Sequence, residues 1–321
     1  MDAPGIVFLD RATLAAHLEL PRPALEHQWV EYQDCTPEEI VARLANAQVA
    51  VVNKVRLKAS MLKQLPGLRL ISLVATGFDN IDTNHCKQAG IAVANVRNYA
   101  AATLAEHCLG LMLALSRNLL TYHRSVGEGR WSRNAQFCYF DYPIHDLAGE
   151  TLVIIGKGSL GSAVARTAQA LGMRVLFAEH RDATQPRPGY TPFYQALEQA
   201  RVISLHCPLN AATSRLLDAR AFAAMRKKLL LINTARGGLI DEDALIEALE
   251  QGRIGGAALD VLASEPPPAD SRLIALSRTL PNLLITPHIA WASDKGQLAA
   301  WQQAMENIQA FYRGEQLRRL V

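Results

Sequence analysis

The sequence lacks the features that mark secreted, membrane-spanning and nucleic-acid-binding proteins. Its five cysteines are widely spaced and include no CxxC pair, which argues against a disulfide framework and favours reduced thiols in a cytoplasmic protein. The net charge of +3 comes without a basic block, so neither nucleic acid nor a membrane surface is an expected partner. The N-terminus shows no basic start followed by an apolar core, and we therefore expect no signal peptide.

Long apolar runs are missing as well. The most apolar helical segment, Leu104 to Leu115, contains Glu106 and His107 and is too short to cross a bilayer. We also expect no bound metal ion. Half of the 321 residues are apolar and 20% are charged, as in ordinary globular proteins, and this length is sufficient for two domains.

One stretch, Thr151 to Glu179, combines a strand, a glycine turn, a helix and a second strand that ends in an acid. The turn reads Gly156-Lys-Gly-Ser-Leu-Gly161, and the helix is predicted over Ser162 to Gly172. A glycine pattern of this kind is weak on its own, but here the flanking strand, helix and acid are all at the expected spacing. The stretch predicts a dinucleotide-binding unit, against the alternative of an incidental glycine turn.

Each part of such a turn has a physical task. Gly156 permits the tight turn, Gly158 lets the backbone approach a pyrophosphate, and Gly161 lets the helix pack close to its strand. Glu179 is placed to accept hydrogen bonds from the adenosine ribose and to repel a 2′-phosphate, so NAD is the expected cofactor and NADP is less favoured. Lys157 is unusual inside the turn; it is either solvated or adds positive charge near the phosphates.

Apolar runs alternate with helical segments on both sides of this stretch, which predicts an α/β fold with two doubly wound, Rossmann-like parallel sheets. We expect the cofactor domain, residues 98–291, to be inserted into a discontinuous substrate domain, residues 1–97 and 292–321. A helix is predicted from Ala101 to Asn118. Residues 119–147 are predicted to be irregular and are rich in aromatic side chains; they form either a packed surface arm, or a dimer contact or pocket edge.

Four polar residues follow predicted strands on the carboxyl side, where doubly wound sheets bind ligands. They are Arg236, Asp260, Glu265 and His288. Hydride transfer to a ketone needs a proton donor, and His288 suits that task near neutral pH. Glu265 could fix the tautomer of the ring, and Arg236 could hold a substrate carboxylate. Taken singly, each residue also has an ordinary structural explanation.

The motifs resemble those of the D-isomer-specific 2-hydroxyacid dehydrogenase family over nearly the whole chain. They are the glycine turn, Asn233-Thr-Ala-Arg-Gly-Gly238, Ala258-Leu-Asp-Val261 with Glu265, Thr286-Pro-His-Ile-Ala-Trp291, Ala75-Thr-Gly-Phe-Asp-Asn-Ile-Asp82, and Asn95-Val-Arg-Asn-Tyr-Ala100 with Ala105-Glu-His107. Three features look most similar to the glycerate dehydrogenase (hydroxypyruvate reductase) branch: residues 141–146, Trp131 and the ending His288-Ile-Ala-Trp291. The departures are Glu179, where many members have Asp, and Lys157, where an apolar or aromatic residue is usual.

The resemblance implies an NAD(H)-dependent oxidoreductase that reduces hydroxypyruvate or glyoxylate, and usually a homodimer. It implies that His288 is the acid/base, Glu265 its partner and Arg236 the substrate anchor. The residues implied to bind the cofactor are Gly156, Lys157, Gly158, Ser159, Leu160, Gly161, Glu179, His206, Cys207, Pro208, Thr213, Thr234, Ala235, Arg236, Asp260 and His288. Those implied to bind the substrate are Ala75, Thr76, Gly77, Asn98, Arg236 and His288.

Two alternatives stay open from the sequence. The same chemistry could act on another 2-keto acid or on phosphoglycerate, although the regulatory tail common in phosphoglycerate dehydrogenases is missing here. A non-enzymatic relative of the family, a dinucleotide-sensing corepressor, is the second alternative. No peptide-binding or nuclear extension favours it.

Overall fold

A computed structural model describes residues 3–225 and 228–321. Within these ranges the chain forms two compact units. One unit comprises the chain up to Ala100 together with Ala292–Val321, and the other is Ala101–Trp291. We call them the first and the second unit. No helix in the described ranges has both the length and the apolar character needed to cross a membrane.

The strands occur in the following order. They are β1 Gly5–Phe8, β2 Gln28–Glu31, β3 Val49–Val52, β4 Leu70–Leu73, β5 Ala92–Ala94, β6 Thr151–Ile155, β7 Arg174–Phe177, β8 Val202–Leu205, β9 Leu230–Asn233, β10 Gly256–Leu259 and β11 Leu283–Ile285.

The helices between and after them are likewise numbered along the chain. They are α1 Ile40–Leu44, α2 Ala59–Leu62, α3 Thr83–Ala89, α4 Ala101–Ser116, α5 Leu119–Gly127, α6 Ser159–Ala170, α7 Phe193–Gln199, α8 Ala219–Ala224, α9 Glu242–Glu250, α10 Arg272–Ser277 and α11 Asp294–Tyr312. Short 3-10 helices cover Arg11–Thr13 and Gly237–Leu239.

Each unit contains one parallel sheet. The order in the first unit is β2-β1-β3-β4-β5, and in the second it is β11-β10-β9-β8-β6-β7. Every neighbouring pair of strands is parallel. The prediction of two doubly wound parallel α/β sheets is therefore confirmed. In both sheets the strand order reverses next to the first strand, which is where such folds bind ligands.

The sheet of the second unit is buried on both faces. Since successive side chains of a strand point to opposite sides, alternate residues enter different cores. In β6, Val153 and Ile155 contribute to one core, and Leu152 and Ile154 to the other. In the first unit, α11 packs against β4, and the hydroxyl of Ser72 donates to the carbonyl of Ala304 at 2.9 Å. These apolar layers fix the strands whose ends carry the polar residues of interest.

Several predicted elements differ from the structure. Residues 119–147 are not irregular throughout, since α5 covers Leu119–Gly127. The helix after the glycine turn begins at Ser159 rather than Ser162. Strand β2 was not predicted either, because Gln28–Glu31 is an edge strand with mostly exposed side chains. Edge strands and short surface helices have little of the apolar periodicity on which such predictions depend.

Candidate active site

The glycine loop joins β6 to α6 at the point where the strand order of the second unit reverses. Gly156 has a φ of +107°, and a Cβ atom there would lie 2.6 Å from the backbone nitrogen of Cys207. Gly158 has open space where a Cβ atom would be, and α6 begins directly after it. A helix N-terminus behind an uncrowded backbone is suited to bind a pyrophosphate, so these residues fit a dinucleotide.

Glu179 follows β7 but does not present a free carboxylate. Its side chain is only 2% exposed and accepts from four N–H groups, which matches the number of lone-pair sites on a carboxylate. Two donors are the backbone amides of His180 and Arg187, both at 2.8 Å. The other two are Nε and Nη2 of Arg187, which reach Glu179 Oε2 at 2.8 Å and Oε1 at 2.5 Å. Its binding to ribose stays a prediction.

Arg187 was not among the predicted site residues. Its hydrogen bonds to Glu179, followed by those from the two backbone amides, lower the pKa of the Glu179 carboxyl to about 2 against the opposing effect of burial. The same contact raises the pKa of Arg187. The signal in the sequence was the stretch Arg187-Pro-Gly-Tyr190, a turn with a basic residue eight positions after the acid. Spacing alone did not show that this turn folds back onto β7.

The loop after β8 carries four predicted cofactor-binding residues. The His206 ring is held by the Ser204 hydroxyl at 2.8 Å, and desolvation by the surrounding protein lowers its pKa to about 4. The ring is therefore neutral at pH 7. The Thr213 hydroxyl donates to the carbonyl of Pro208 at 2.6 Å and closes the loop on itself. Cys207 lies against the glycine loop through its backbone, as described above.

The turn after β9 presents Arg236. The side chain of Asn233 braces this turn, because its Nδ2 donates to the carbonyl of Arg236 at 2.9 Å and its Oδ1 accepts from the amide of Ala235 at 3.0 Å. Arg236 also donates to the carbonyl of Ala235 at 2.8 Å. Thr234 points into the unit, where its hydroxyl lies 3.4 Å from Cys108 Sγ. Asn233 thus positions two predicted site residues, a role that the sequence prediction did not assign.

Asp260 organises the segment that contains His288. Its buried carboxylate accepts from the Thr286 hydroxyl at 2.5 Å and from the amides of Ile289 and Ala290 at 2.9 and 2.8 Å. His107 Nε2 lies 3.7 Å away. The predicted contribution of Asp260 to cofactor binding stays a prediction. In the structure its carboxylate fixes the backbone around the predicted acid/base, and neither His107 nor Thr286 had been assigned to this support.

His288 and Glu265 form a direct pair in the second unit. His288 Nδ1 lies 2.6 Å from Glu265 Oε2, and the other carboxylate oxygen accepts from the amide of Leu262 at 2.9 Å. The His288 and Glu265 side chains are 25% and 36% exposed. With Nδ1 held by the carboxylate, Nε2 is the ring nitrogen left to exchange a proton. Both residues line a cavity of about 480 Å³, together with Asp260 and Thr286.

The backbone of His288 is itself unusual. Its φ is +57°, in the left-handed region that residues other than glycine seldom adopt. The conformation is held by two hydrogen bonds from the His288 amide, to the carbonyls of Asp260 at 2.9 Å and Thr286 at 3.0 Å. The Trp291 indole donates to the carbonyl of His288 at 3.0 Å. Constraints of this kind concentrate at functional sites, where they aim one side chain.

The predicted substrate loop lies in the first unit. Ala75–Gly77 closely follow β4, and the Thr76 hydroxyl donates to the carbonyl of Val96 at 2.8 Å. The Asn95 side chain in turn donates to the carbonyl of Thr76 at 2.8 Å, so the loops after β4 and β5 are tied together. Asn98 has a φ of +56°, another left-handed backbone.

Comparison with known proteins decides the family. Residues 109–290 match the model of the D-isomer specific 2-hydroxyacid dehydrogenase NAD binding domain. The chain belongs to the D-isomer specific 2-hydroxyacid dehydrogenase family. A Haemophilus influenzae protein named as a 2-hydroxyacid dehydrogenase is 47% identical over 95% of this chain and 97% of its own length. A glycerate dehydrogenase of Methylorubrum extorquens is 47% identical over 97% of this chain and 96% of its own.

The structural comparison agrees. The crystal structure of the TT0316 protein from Thermus thermophilus matches with a TM-score of 0.83 and 30% identity, covering 99% of this chain and 100% of that one. The predictions of the family, of an oxidoreductase and of NAD as the cofactor are confirmed. The second unit of this dehydrogenase includes the whole segment that matches the NAD-binding domain.

Proposed function

We propose that this dehydrogenase interconverts hydroxypyruvate and D-glycerate and also reduces glyoxylate to glycolate, with NADH as an electron donor. The observation that carries the proposal is the 2.6 Å contact between His288 Nδ1 and Glu265 Oε2 in the NAD-binding unit. The choice of substrate is supported by the 47% identity with a glycerate dehydrogenase over nearly the full length of both chains.

The residues divide the chemistry among them. A nicotinamide dinucleotide held at the glycine loop Gly156–Gly161 would supply the hydride in reduction and accept it in oxidation. His288 Nε2 donates a proton to the oxygen that gains charge and removes one in the reverse direction. Glu265 holds the Nδ1 proton, which fixes the ring orientation and stabilises the imidazolium. We assign Asp260 a positioning role, because it holds the segment Thr286–Ala290.

The substrate carboxylate is the group that Arg236 suits. A guanidinium binds a carboxylate through two parallel hydrogen bonds and draws electron density from the adjacent carbonyl. We propose that backbone N–H groups of Ala75–Gly77 bind the same carboxylate and that Asn98 contacts the substrate. On this assignment, residues 98–291 bind the cofactor, and residues 1–97 with 292–321 bind the substrate.

A panel of 2-keto acids tests the substrate assignment. The rate of NADH oxidation is measured with hydroxypyruvate, glyoxylate, pyruvate and phosphohydroxypyruvate at saturating cofactor. We expect the highest kcat/KM for hydroxypyruvate and a lower value for glyoxylate. A preference of more than about 10-fold for the phosphorylated substrate would replace this proposal with a phosphoglycerate dehydrogenase, since that ratio corresponds to about 1.4 kcal/mol of transition-state binding.

We also propose a homodimer in the cytoplasm. Residues 119–144 expose several large apolar side chains, and among them Phe137 is 87% and Phe140 77% exposed. Such a patch favours association with a second copy. Free thiols at all five cysteines agree with a reducing compartment. Light scattering after size exclusion tests the dimer: the double variant Phe137→Ser, Phe140→Ser should shift it toward monomer, whereas Val30→Ser in the first unit should not.

A further inference from the structure

We infer that Arg187, with Lys157 beside it, sets the dinucleotide specificity of this enzyme and lets it bind NADP(H) as well as NAD(H). Arg187 compensates the buried charge of Glu179, and with Lys157 it gives the end of β7 a net positive surface that accepts a 2′-phosphate on the adenosine ribose. The inference rests on the dinucleotide binding in the proposed function and revises the expectation that Glu179 makes NADP less favoured. An acid at this place repels a phosphate only while its charge is exposed.

Glu179 is withdrawn from the surface. Its side chain is 2% exposed whereas that of Arg187 is 53% exposed, so the guanidinium is the accessible member of the pair. The backbone amides of His180 and Arg187 donate to the same carboxylate. Together with Nε and Nη2 of Arg187, four N–H groups therefore stabilise its negative charge. An approaching anion meets the guanidinium before it meets the carboxylate.

Lys157 adds a second cation from the glycine loop. Its Nζ lies 4.6 Å from the centre of the Phe177 ring and 5.4 Å from that of Tyr190. Arg187 Cζ lies 4.2 Å from the centre of the same Tyr190 ring. The Tyr190 ring thus contacts both cations. Lys157 comes from the loop that is suited to the pyrophosphate, and Arg187 comes from the turn after β7. In the described part of the chain, no carboxylate lies within ion-pairing distance of Lys157.

The turn that carries Arg187 is fixed by the backbone rather than by the side chain alone. The Glu179 amide donates to the carbonyl of Thr191 at 2.8 Å, and the Thr191 amide donates to that of Phe177 at 2.8 Å. The Tyr190 amide donates to the carbonyl of Arg187 at 3.0 Å. A guanidinium that is already ordered loses less conformational entropy on binding a phosphate.

The neighbouring arginine does not serve the same purpose. Arg181 donates to Asp218 at 3.1 Å, and its Nε lies 3.9 Å from Asp182. Both carboxylates are more exposed than the buried Glu179, so this cation faces two accessible negative charges. Arg181 is therefore a matched control: it has the same residue type and lies in the same connection, but its surroundings are acidic.

The test measures the adenosine end alone. Binding of adenosine 2′,5′-bisphosphate and of AMP to the purified full-length protein is followed by calorimetry, without nicotinamide or keto acid. We expect the bisphosphate to bind more tightly than AMP, by about 10-fold, the worth of one charge-assisted contact. Arg187→Ala should raise the Kd of the bisphosphate by at least about 10-fold and change that of AMP by less than about 3-fold.

Three further variants separate the contributions. Lys157→Gln should weaken the bisphosphate by about 3-fold to 10-fold, and Arg181→Ala should leave the ratio of the two ligands unchanged. Glu179→Gln keeps Arg187 and removes the acid, so it should strengthen bisphosphate binding and raise the NADPH to NADH affinity ratio. Thermal unfolding of each variant shows whether it is folded. If Arg187→Ala does not fold, Lys157→Gln still tests the inference.

Equal affinity of the wild-type protein for AMP and the bisphosphate would overturn the inference, as would an unchanged ratio in both Arg187→Ala and Lys157→Gln. These outcomes are distinct from failure of the proposed function. Turnover of hydroxypyruvate with NADH but no discrimination between the two adenosine ligands removes only the inference. Tight bisphosphate binding without turnover of any 2-keto acid removes only the proposed function.

Discussion

Two carboxylates of the second unit each hold a basic side chain at short distance, in different surroundings. Glu265 contacts the His288 ring at 2.6 Å, and Glu179 contacts the Arg187 guanidinium at 2.5 Å. In the first pair both side chains are partly exposed and the imidazole keeps one ring nitrogen for proton exchange. In the second the carboxylate is enclosed, and its partner cannot lose its proton near neutral pH. We therefore propose that the same type of contact supports proton transfer in one place and charge compensation in the other.

The strongest test of this contrast removes the imidazole. His288→Ala should lower kcat by about 10²- to 10⁴-fold, the usual effect of losing a positioned acid/base. NADH binding, followed by nicotinamide fluorescence, should change little. A matched control exists in the first unit, where the exposed His17 ring lies 3.0 Å from Asp294. His17→Ala should keep normal turnover, and near-normal turnover of His288→Ala would remove His288 from the mechanism.

Replacing the carboxylate tests whether the pair works as a unit. Glu265→Gln keeps the size of the side chain but cannot hold an imidazolium by charge, so kcat should fall by about 10²-fold with KM changed far less. Steady-state rates with hydroxypyruvate measure the split. A variant that loses affinity for the keto acid but keeps kcat would mean that Glu265 binds the substrate rather than orienting His288.

Replacing the guanidinium of Arg236 should have a smaller effect. Arg236→Lys keeps the charge and loses the planar fork, which should raise KM by about 10-fold, within the value of one charge-assisted hydrogen bond. Substrate saturation curves at fixed NADH give this number. The variant Arg181→Lys changes another arginine of the unit in the same way, and it should leave KM unchanged. An equal rise of KM in both would point to a general effect of replacing an arginine by lysine in this unit instead of a lost anchor.

The smallest effect concerns stability in mild acid. Desolvation lowers the pKa of folded His206 to about 4 from 6.5, so the unfolded chain binds a proton first as the pH falls. The contribution of His206 to the free energy of unfolding is fully present above pH 6.5, and about 1 kcal/mol of this contribution should be lost by pH 5.5. Denaturant unfolding of wild type and His206→Asn at several pH values measures this loss. If the free energy of unfolding fell equally with pH in both proteins, the prediction would be wrong. Glu179, whose folded pKa is about 2, loses its contribution only below pH 4.5.

The sequence predicted best where several signals agree. In the stretch from Thr151 to Glu179, the strands, the helix and the glycines all pointed to one dinucleotide-binding unit, and the family match confirms it. It predicted poorly where burial is low. The edge strand β2 and the helix α5 carry many exposed side chains, so the apolar periodicity that identifies an element is weak in both. Site residues that follow buried strands can be located from the sequence as well as the strands themselves can.

By itself, the sequence determined the two parallel sheets, the glycine loop and the order of Arg236, Glu265 and His288 along the chain. These follow from local periodicity, turn chemistry and the rule that parallel strands end at one edge. Only the tertiary structure decided which charges are compensated. Whether Glu179 faces a ribose or Arg187 depends on a turn that folds back eight residues later, and no local pattern fixes such a contact. Electrostatic character is set by three-dimensional surroundings, because burial and partner distance control the energy of a charge.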